Sequence, residues 1–343
     1  PALRASVGAT LDALGDAAPA LSPGDRINVW IEDGAEFSSD YIVEPTGVIV
    51  VPLISPVLAA GLTTHEVERT LRTALVEAGI FRADLLKLAV RMVQFGPLDV
   101  EVQGAVFVPG QVRINEISPA DKQDKALTRF GDAPLERRVT TALRAAGGVR
   151  PDARLADVQL IRGDTAYALD LRGVVAGEPT VDPTMMAGDR LVVPSADCFE
   201  PALVRPSSIT PDGIRVFMSN LTSPARGNAT SAIGQFAQSM PYGSKLLQAA
   251  VSANCVGGSL ASNARRHVVL ISQDPRNGAS DVVQQPIEDL VRDAGRDSFN
   301  PYLMPNDAIA CYDSAITDVR EVAATMLSVL APYGVARLSV DNF

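Results

Sequence analysis

Clustered positive charge and long apolar runs are both absent from this sequence. Its 343 residues carry 30 Lys and Arg against 40 Asp and Glu, a formal net charge of −10, and no run of five basic residues occurs. Contact with nucleic-acid phosphates needs clustered Lys and Arg, so the charge pattern argues against a nucleic-acid partner. No apolar run reaches the roughly 18 uninterrupted residues of a single membrane-spanning helix.

Histidine and cysteine are also scarce. His65 and His267 are the only histidines, and Cys198, Cys255 and Cys311 show no C-x-x-C spacing. A metal site built from these residues is not expected, and we predict no cofactor. One disulfide is possible if the compartment is oxidising; unpaired buried thiols are the preferred alternative.

Catalytic motifs are missing as well. The sequence contains neither a G-x-x-x-x-G-K-[ST] phosphate loop nor a G-x-S-x-G nucleophile elbow. Paired carboxylates such as Asp182 and Asp189 could in principle act as a glycosidase pair, but a role in forming turns explains both better. We therefore predict that the protein is not an enzyme and has no catalytic residue.

What the sequence does contain is a repeated turn. Residues 182–195 and 300–313 align with a constant offset, with Gly188-Asp189 in the first copy and Asn306-Asp307 in the second. Glycine and asparagine tolerate a positive φ and aspartate bonds to its own backbone, so each pair predicts a tight turn that leads into a strand. Pro23-Gly24-Asp25 predicts a third turn of the same kind. A repeat of this length indicates a duplicated domain.

Length and composition predict several globular domains, since 47% of the residues are hydrophobic and 20% are charged. The expected class is α+β. We predict the following segments: a tether or marginal helix (1–20), a first domain (21–97), a module (98–197), a linker (198–213), a second module (214–314), and a C-terminal amphipathic helix with its tail (315–343).

Local patterns predict the elements of the first domain. Alternating apolar residues indicate a strand at 26–31, and two apolar runs around Pro45-Thr-Gly47 indicate a hairpin over 41–54. Threonines at 63 and 64, with Glu66 in the first turn, predict the start of a helix that ends before Gly79. A strand follows at 86–95.

The first module is predicted from the same signals. Strands are expected at 98–103, 111–114, 158–162 and 166–171, with a short helix before Gly147-Gly148. The polar stretch 115–136 is predicted to be an exposed insertion. Related runs at 247–250 and 268–271 predict the corresponding helix and strand of the second module.

Two sets of short motifs carry a family resemblance. The first domain contains Pro23-Gly24-Asp25, Val43-Glu-Pro-Thr-Gly47, Pro52-Leu53-Ile54 and Ala60-Gly-Leu-Thr63 with Glu66; the first module contains Gly104, Pro109-Gly110, Ala145-Ala-Gly-Gly-Val149, Leu160-Ile161-Arg162 and Gly188-Asp189 before Val192-Val193-Pro194. With these motifs, residues 21–314 resemble the bacterial outer-membrane polysaccharide export family. Its members join a polysaccharide export domain to β-grasp modules that bind soluble ligands (SLBB modules). The second module departs most from the pattern.

The resemblance implies a function. A member of this family is expected to form a homo-oligomeric ring at the periplasmic side of the outer membrane, which conducts capsule or exopolysaccharide passively. Its expected partners are the polysaccharide chain and an inner-membrane co-polymerase or export protein. The alternative is a periplasmic adaptor that binds glycan or a partner without forming a pore.

The C-terminal segment is the part of the chain for which contact with the membrane is considered. Helical spacing over residues 318–331 leaves an apolar face that we predict, as the resemblance implies, to face lipid or to pack on protein. Its members are Val319, Val322, Met326, Leu327 and Leu330. A helix of about 14 residues is roughly 21 Å long, shorter than a hydrocarbon core of about 30 Å, which favours packing. Because the chain begins at Pro1, we also expect a preceding segment, where a lipidated cysteine could stand.

Overall fold

The computed structural model describes residues 6–7, 18–116, 133–220, 237–256 and 266–312. The chain divides into two compact units, Pro1–Leu203 and Val204–Phe343. The predicted C-terminal helix, with Val319, Val322, Met326, Leu327 and Leu330, lies outside the described residues. So does most of the predicted insertion.

The first unit opens on a three-stranded antiparallel sheet that is covered on one face by a helix. Strand β2 (Arg26–Ile31) lies between β3 (Ser39–Ile42) and β6 (Leu88–Gln94). Alternate residues of β2 point inward, and Ile27, Val29 and Ile31 are fully or almost fully buried. Ser6–Val7, within the predicted tether, form the short strand β1. The alternation that predicted β2 therefore also determines which face of the sheet carries the core.

Helix α1 (Thr64–Glu77) covers this core. Thr63 is its N-cap and forms a capping box with Glu66: the Glu66 N–H donates to Thr63 Oγ1 at 3.3 Å, and the Thr63 N–H donates to a Glu66 carboxylate oxygen at 2.8 Å. Val67, Leu71 and Leu75 are completely buried on the inner face of the helix. The predicted helix, its cap and its end before Gly79 are confirmed.

The predicted hairpin over residues 41–54 is wrong in its pairing. The turn at Glu44–Gly47 forms, but β4 (Val48–Ile49) pairs with β5 (Val57–Leu58), whereas β3 pairs with β2. The second apolar run turns back at Pro52, which has no N–H to donate, and at Leu53, whose φ is 65°. This second reversal brings Val57–Leu58 against β4.

A six-stranded sheet forms the rest of the first unit. Its strands are β7 (Leu98–Gly104), β8 (Gly110–Ile114), β9 (Val158–Arg162), β10 (Thr165–Leu169) and β11 (Arg190–Val193), with β1 at one edge, in the order β1-β10-β9-β11-β7-β8. Strands β7 and β11 are parallel, whereas β8, β9 and β10 each join by an antiparallel pairing. Helix α2 (Val139–Ala145) ends before Gly147 and Gly148, both at positive φ, and a short helix α3 (Arg172–Ala176) follows β10.

The second unit contains a five-stranded sheet with the same plan. Its strands are β12 (Gly213–Asn220), β13 (Ala237–Pro241), β14 (His267–Gln273), β15 (Ser280–Pro286) and β16 (Ala308–Tyr312), in the order β13-β12-β16-β14-β15. Strand β16 is parallel to β12 and antiparallel to β14. Helices α4 (Leu246–Ser252) and α5 (Ile287–Arg292) take the places of α2 and α3 along the chain.

The two sheets therefore share strand order and strand direction. Aligning them places β12 on β7, β14 on β9 and β16 on β11. In both, the last strand pairs in parallel with the first, which requires a long crossover that carries a helix. This common topology is the structural counterpart of the sequence repeat.

Cysteine pairing differs from the favoured expectation. Cys255, three residues after the end of α4, and Cys311 in β16 form a disulfide, and both are completely buried. Unpaired thiols were therefore the wrong alternative for these two residues. Cys198 is a free, exposed thiol.

Candidate functional site

Three aspartates build the same turn at the start of three strands. Each carboxylate accepts the backbone N–H of the residue three positions earlier at 2.8 Å, and its own N–H donates back to that residue's carbonyl. The aspartates with their partners are Asp25 with Ser22, Asp189 with Met186, and Asp307 with Met304. The residue before each aspartate has a positive φ: Gly24 at 89°, Gly188 at 84° and Asn306 at 70°. The predicted turn is confirmed in all three places.

The first of these aspartates has a further partner, Arg137. Asp25 is completely buried, and 1% of the Arg137 side chain is exposed. The guanidinium binds the Asp25 carboxylate and the Gly96 carbonyl, while the Gly96 N–H donates to Asp25 at 2.9 Å. It also lies 5.1 Å from the centre of the Phe95 ring. A buried ion pair needs such extra hydrogen bonds to satisfy both groups.

This network connects two parts of the first unit that are far apart in sequence. Asn115 adds to it, because its side-chain amide donates to the carbonyls of Phe95 and Gly96, both at 2.8 Å. The sequence does not indicate a role for Arg137, because this residue ends a polar stretch with no periodicity. The turn aspartate Asp25 is the sequence signal at this site.

The other two aspartates have different side-chain partners. Arg162 forms two hydrogen bonds with Asp189, at 2.9 and 2.7 Å. Register places Ser272 of β14 where β9 has Arg162, because Ile161 pairs with Arg190 and Ile271 pairs with Ala308. Burial without a cation raises the pKa of Asp307 to about 7, although the Met304 N–H and the Ser272 hydroxyl oppose the shift.

A second arginine–aspartate cluster lies just after the end of β11. Arg150 forms two hydrogen bonds with Asp152, at 2.8 and 2.6 Å, and the Ser195 hydroxyl donates to the same carboxylate at 2.6 Å. These hydrogen bonds, led by those from Arg150, lower the pKa of Asp152 to about 2. The carboxylate is therefore ionised at neutral pH and acts as a hydrogen-bond acceptor between two loops.

Each of the carboxylates considered for glycosidase chemistry is hydrogen-bonded within the fold. Asp182 accepts the backbone N–H and the hydroxyl of Thr140 at 3.1 and 2.7 Å, at the start of α2. Asp189 is occupied by Arg162. His65 is exposed in the first turn of α1, and His267 stacks on Tyr312 with ring centres 5.5 Å apart. Within the described residues, no group of three or more His, Cys, Asp or Glu side chains could hold a metal ion.

Three exposed apolar side chains lie in the β4–β5 hairpin and its loop. Leu53 is 81% exposed, and Val50 and Leu58 are about half exposed. The strained turn at Leu53 holds this side chain away from the core. Several exposed apolar side chains within one short hairpin are more typical of an interaction surface than scattered single residues are.

None of the helices in the described ranges is both long and apolar enough to cross a bilayer.

The three-stranded sheet, α1 and the β4–β5 hairpin lie in the part of the chain that resembles a known family. Residues 16–93 match the family model of polysaccharide biosynthesis/export proteins. The match covers most of the predicted first domain (21–97) and supports a role in polysaccharide export. No curated protein matches the chain.

Proposed function

We propose that this protein is an oligomeric component of a capsule or exopolysaccharide export system that conducts the polysaccharide passively. The observation that carries the proposal is the match of residues 16–93 to polysaccharide biosynthesis/export proteins. The proposed location is the periplasmic side of the outer membrane. The polysaccharide and an inner-membrane export partner are the proposed partners.

The two repeated sheets favour a structural role for the modules over a catalytic one. In both, the first and last strands are parallel neighbours at the centre. This shared order supports our proposal that residues 98–197 and 214–314 are SLBB modules. In the described residues, the buried charged groups are occupied by partners within the fold, as Asp25 with Arg137 and Asp189 with Arg162 show.

The disulfide supports an extracytoplasmic location. Disulfides persist in oxidising compartments such as the bacterial periplasm and are rare in reducing cytosol. Cys255 and Cys311 are both completely buried and bonded to each other. A bond of this kind fits a protein that folds after export from the cytosol.

The exposed hairpin supplies a candidate contact between subunits. A closed ring needs two different, complementary surfaces on each subunit. The exposed apolar side chains of the β4–β5 hairpin, Val50, Leu53 and Leu58, would supply one of them. We propose that it packs against the neighbouring subunit.

The test is the mass of the protein in mild detergent, measured by light scattering, with and without residues 315–343. We expect a closed oligomer that loses membrane association when these residues are removed. A monomer or dimer that is unaffected by the truncation would contradict the conduit and favour the adaptor that binds glycan without a pore.

A pair of variants tests the hairpin contact. Leu53→Asn removes the apolar side chain, and asparagine tolerates the positive φ at this position. We expect this variant to dissociate the oligomer. Leu85→Asn is the control, because Leu85 is 68% exposed elsewhere in the first domain. Equal masses for both variants would exclude the hairpin as the contact.

A further inference from the structure

The outer face of the first sheet carries the only tryptophan of the chain. Trp30 lies in β2 and points away from the core; 51% of its surface is exposed. Its neighbours Val29 and Ile31 are buried on the opposite face. Leaving half of an indole in water is unfavourable, since burial of apolar surface contributes about 25 cal/mol of free energy per Å².

The side chains around Trp30 follow from the strand register. Trp30 pairs with Ala89 of β6, so a small side chain lies on one side of the ring. One step along the strands, Asn28 pairs with Asp40 of β3 and with Arg91 of β6. Same-face neighbours on a strand are about 7 Å apart. The indole is therefore bordered by a row of hydrogen-bonding groups.

Some of these hydrogen-bonding groups remain available to a ligand. The Asn28 amide donates to one carboxylate oxygen of Asp40 at 2.8 Å. Arg91 is exposed, and its guanidinium makes no hydrogen bond or ion pair to any other residue in the described ranges. On the other side of Trp30, Lys87 forms an ion pair with Glu32. Donors and acceptors thus flank the ring on both sides.

The exposed area indicates the size of the ligand. Half of an indole side chain offers on the order of 100 Å², whereas each partner of a stable protein interface buries about 800 Å². Ile42 is the other large exposed apolar residue on this face, and Arg26, its partner in β2, carries a charge at the same end. The apolar area fits one small ring better than a second protein surface.

We propose that this face binds a single pyranose ring of the transported polysaccharide, with the sugar stacked on Trp30. One face of a pyranose presents C–H groups that pack on an aromatic ring. Its rim presents hydroxyl groups that both donate and accept hydrogen bonds. Asn28, Asp40 and Arg91 provide the matching groups. The proposal rests on the export function proposed above and adds a contact residue for the glycan.

The test uses the full chain and two oligosaccharides, a neutral β-linked glucose hexamer and a galacturonate hexamer. Tryptophan fluorescence reports Trp30 alone, because the chain has no other tryptophan. We expect at least one hexamer to change the emission in a saturable manner. No saturable change with either hexamer would overturn the proposal. A change caused by raising the protein concentration alone would also overturn it, because a second copy would then cover the face.

Two variants assign the binding to the ring. Trp30→Thr keeps a β-branched residue in the strand, and calorimetry should show binding at least tenfold weaker than in the unchanged protein. Ile42→Thr is the matched control, since Ile42 is 54% exposed on the same face; it should bind within about twofold of the unchanged protein. Trp30→Tyr should restore part of the affinity. Unchanged binding in Trp30→Thr would overturn the proposal.

The mass measurement separates this proposal from the export function. If the protein forms the oligomer but neither hexamer binds, the sugar site is wrong and the export function stands. If a monomer binds a hexamer through Trp30, the ring is wrong and the sugar site stands.

Discussion

At the residue scale, the Asp25–Arg137 pair is the most buried charge pair among the described residues. Breaking a buried pair leaves an uncompensated charge, which costs about 3 to 5 kcal/mol. Arg137→Met should lower the free energy of unfolding of the first unit by this amount, because the Asp25 carboxylate would keep only the N–H groups of Ser22 and Gly96. Urea unfolding followed by Trp30 fluorescence measures it.

Arg113→Met provides the matched control for this prediction. Arg113 also forms two hydrogen bonds with one aspartate, Asp99, at 2.7 and 2.9 Å, but both side chains are about half exposed. Exposed pairs contribute little to stability. Comparable losses in the two variants would show that burial does not decide the effect.

Asp307 gives a prediction about pH. Its pKa is about 7 in the folded protein, whereas aspartate in an unfolded chain titrates near 3.9. Between these values the unfolded chain binds fewer protons than the folded one, so the free energy of unfolding falls as pH rises and levels off above about pH 7. The total fall is on the order of 4 kcal/mol, since one pKa unit corresponds to about 1.4 kcal/mol.

Asp307→Asn removes this titration. We expect the pH dependence of the second unit between pH 4 and 7 to flatten, measured by urea unfolding with far-UV circular dichroism. Asp297→Asn is the control in the same unit, because Asp297 is exposed and its contact with Lys245 lowers its pKa. A slope that persists in Asp307→Asn would refute the assignment.

At the element scale, strand starts were predictable and strand partners were not. The Gly-Asp and Asn-Asp pairs specify a turn through local hydrogen bonds, and Gly188 and Asn306 adopt the positive φ that glycine and asparagine tolerate. The partner of β4 depended on the reversal at Leu53, a conformation that leucine rarely adopts. Arg137 likewise depended on a contact across 112 residues. Local chemistry is readable from sequence; long-range contacts are not.

Gly104 supplies a test of the pairing between β7 and β11. A Cβ at Gly104 would lie 2.0 Å from the Val193 carbonyl oxygen, the residue that Gly104 faces in the parallel pair. Gly104→Ala should therefore cost more than about 3 kcal/mol, through backbone strain together with a displaced strand. Fluorescence-detected urea unfolding of the first unit measures the loss.

Gly163→Ala separates the two causes. Gly163 also has a positive φ, but nothing lies within 4 Å of a Cβ built there. Its cost should be that of the left-handed backbone alone, about 1 to 2 kcal/mol. If both glycine variants lost the same stability, the contact with Val193 would not matter.

At the scale of the whole molecule, the two sheets share a topology but are stabilised differently. In the first unit, the turn aspartates form ion pairs with Arg137 and Arg162. In the second unit, Asp307 is hydrogen-bonded to the neutral side chain of Ser272. The second unit also contains the disulfide between Cys255 and Cys311. The cross-link joins the end of α4 to β16, the strand that pairs with both β12 and β14. The stability of the second unit should therefore depend on redox conditions.

The Cys255→Ala, Cys311→Ala double variant tests this dependence. The disulfide spans 56 residues, and closing a loop of that length in the unfolded chain contributes about 4 kcal/mol in the chain-entropy model. We expect the transition seen by circular dichroism to move to lower urea for the second unit. The fluorescence transition should stay in place, because Trp30 belongs to the first unit. Cys198→Ala, at an exposed free thiol, should change neither transition; an equal shift of both transitions in the double variant would mean that the two units do not unfold separately.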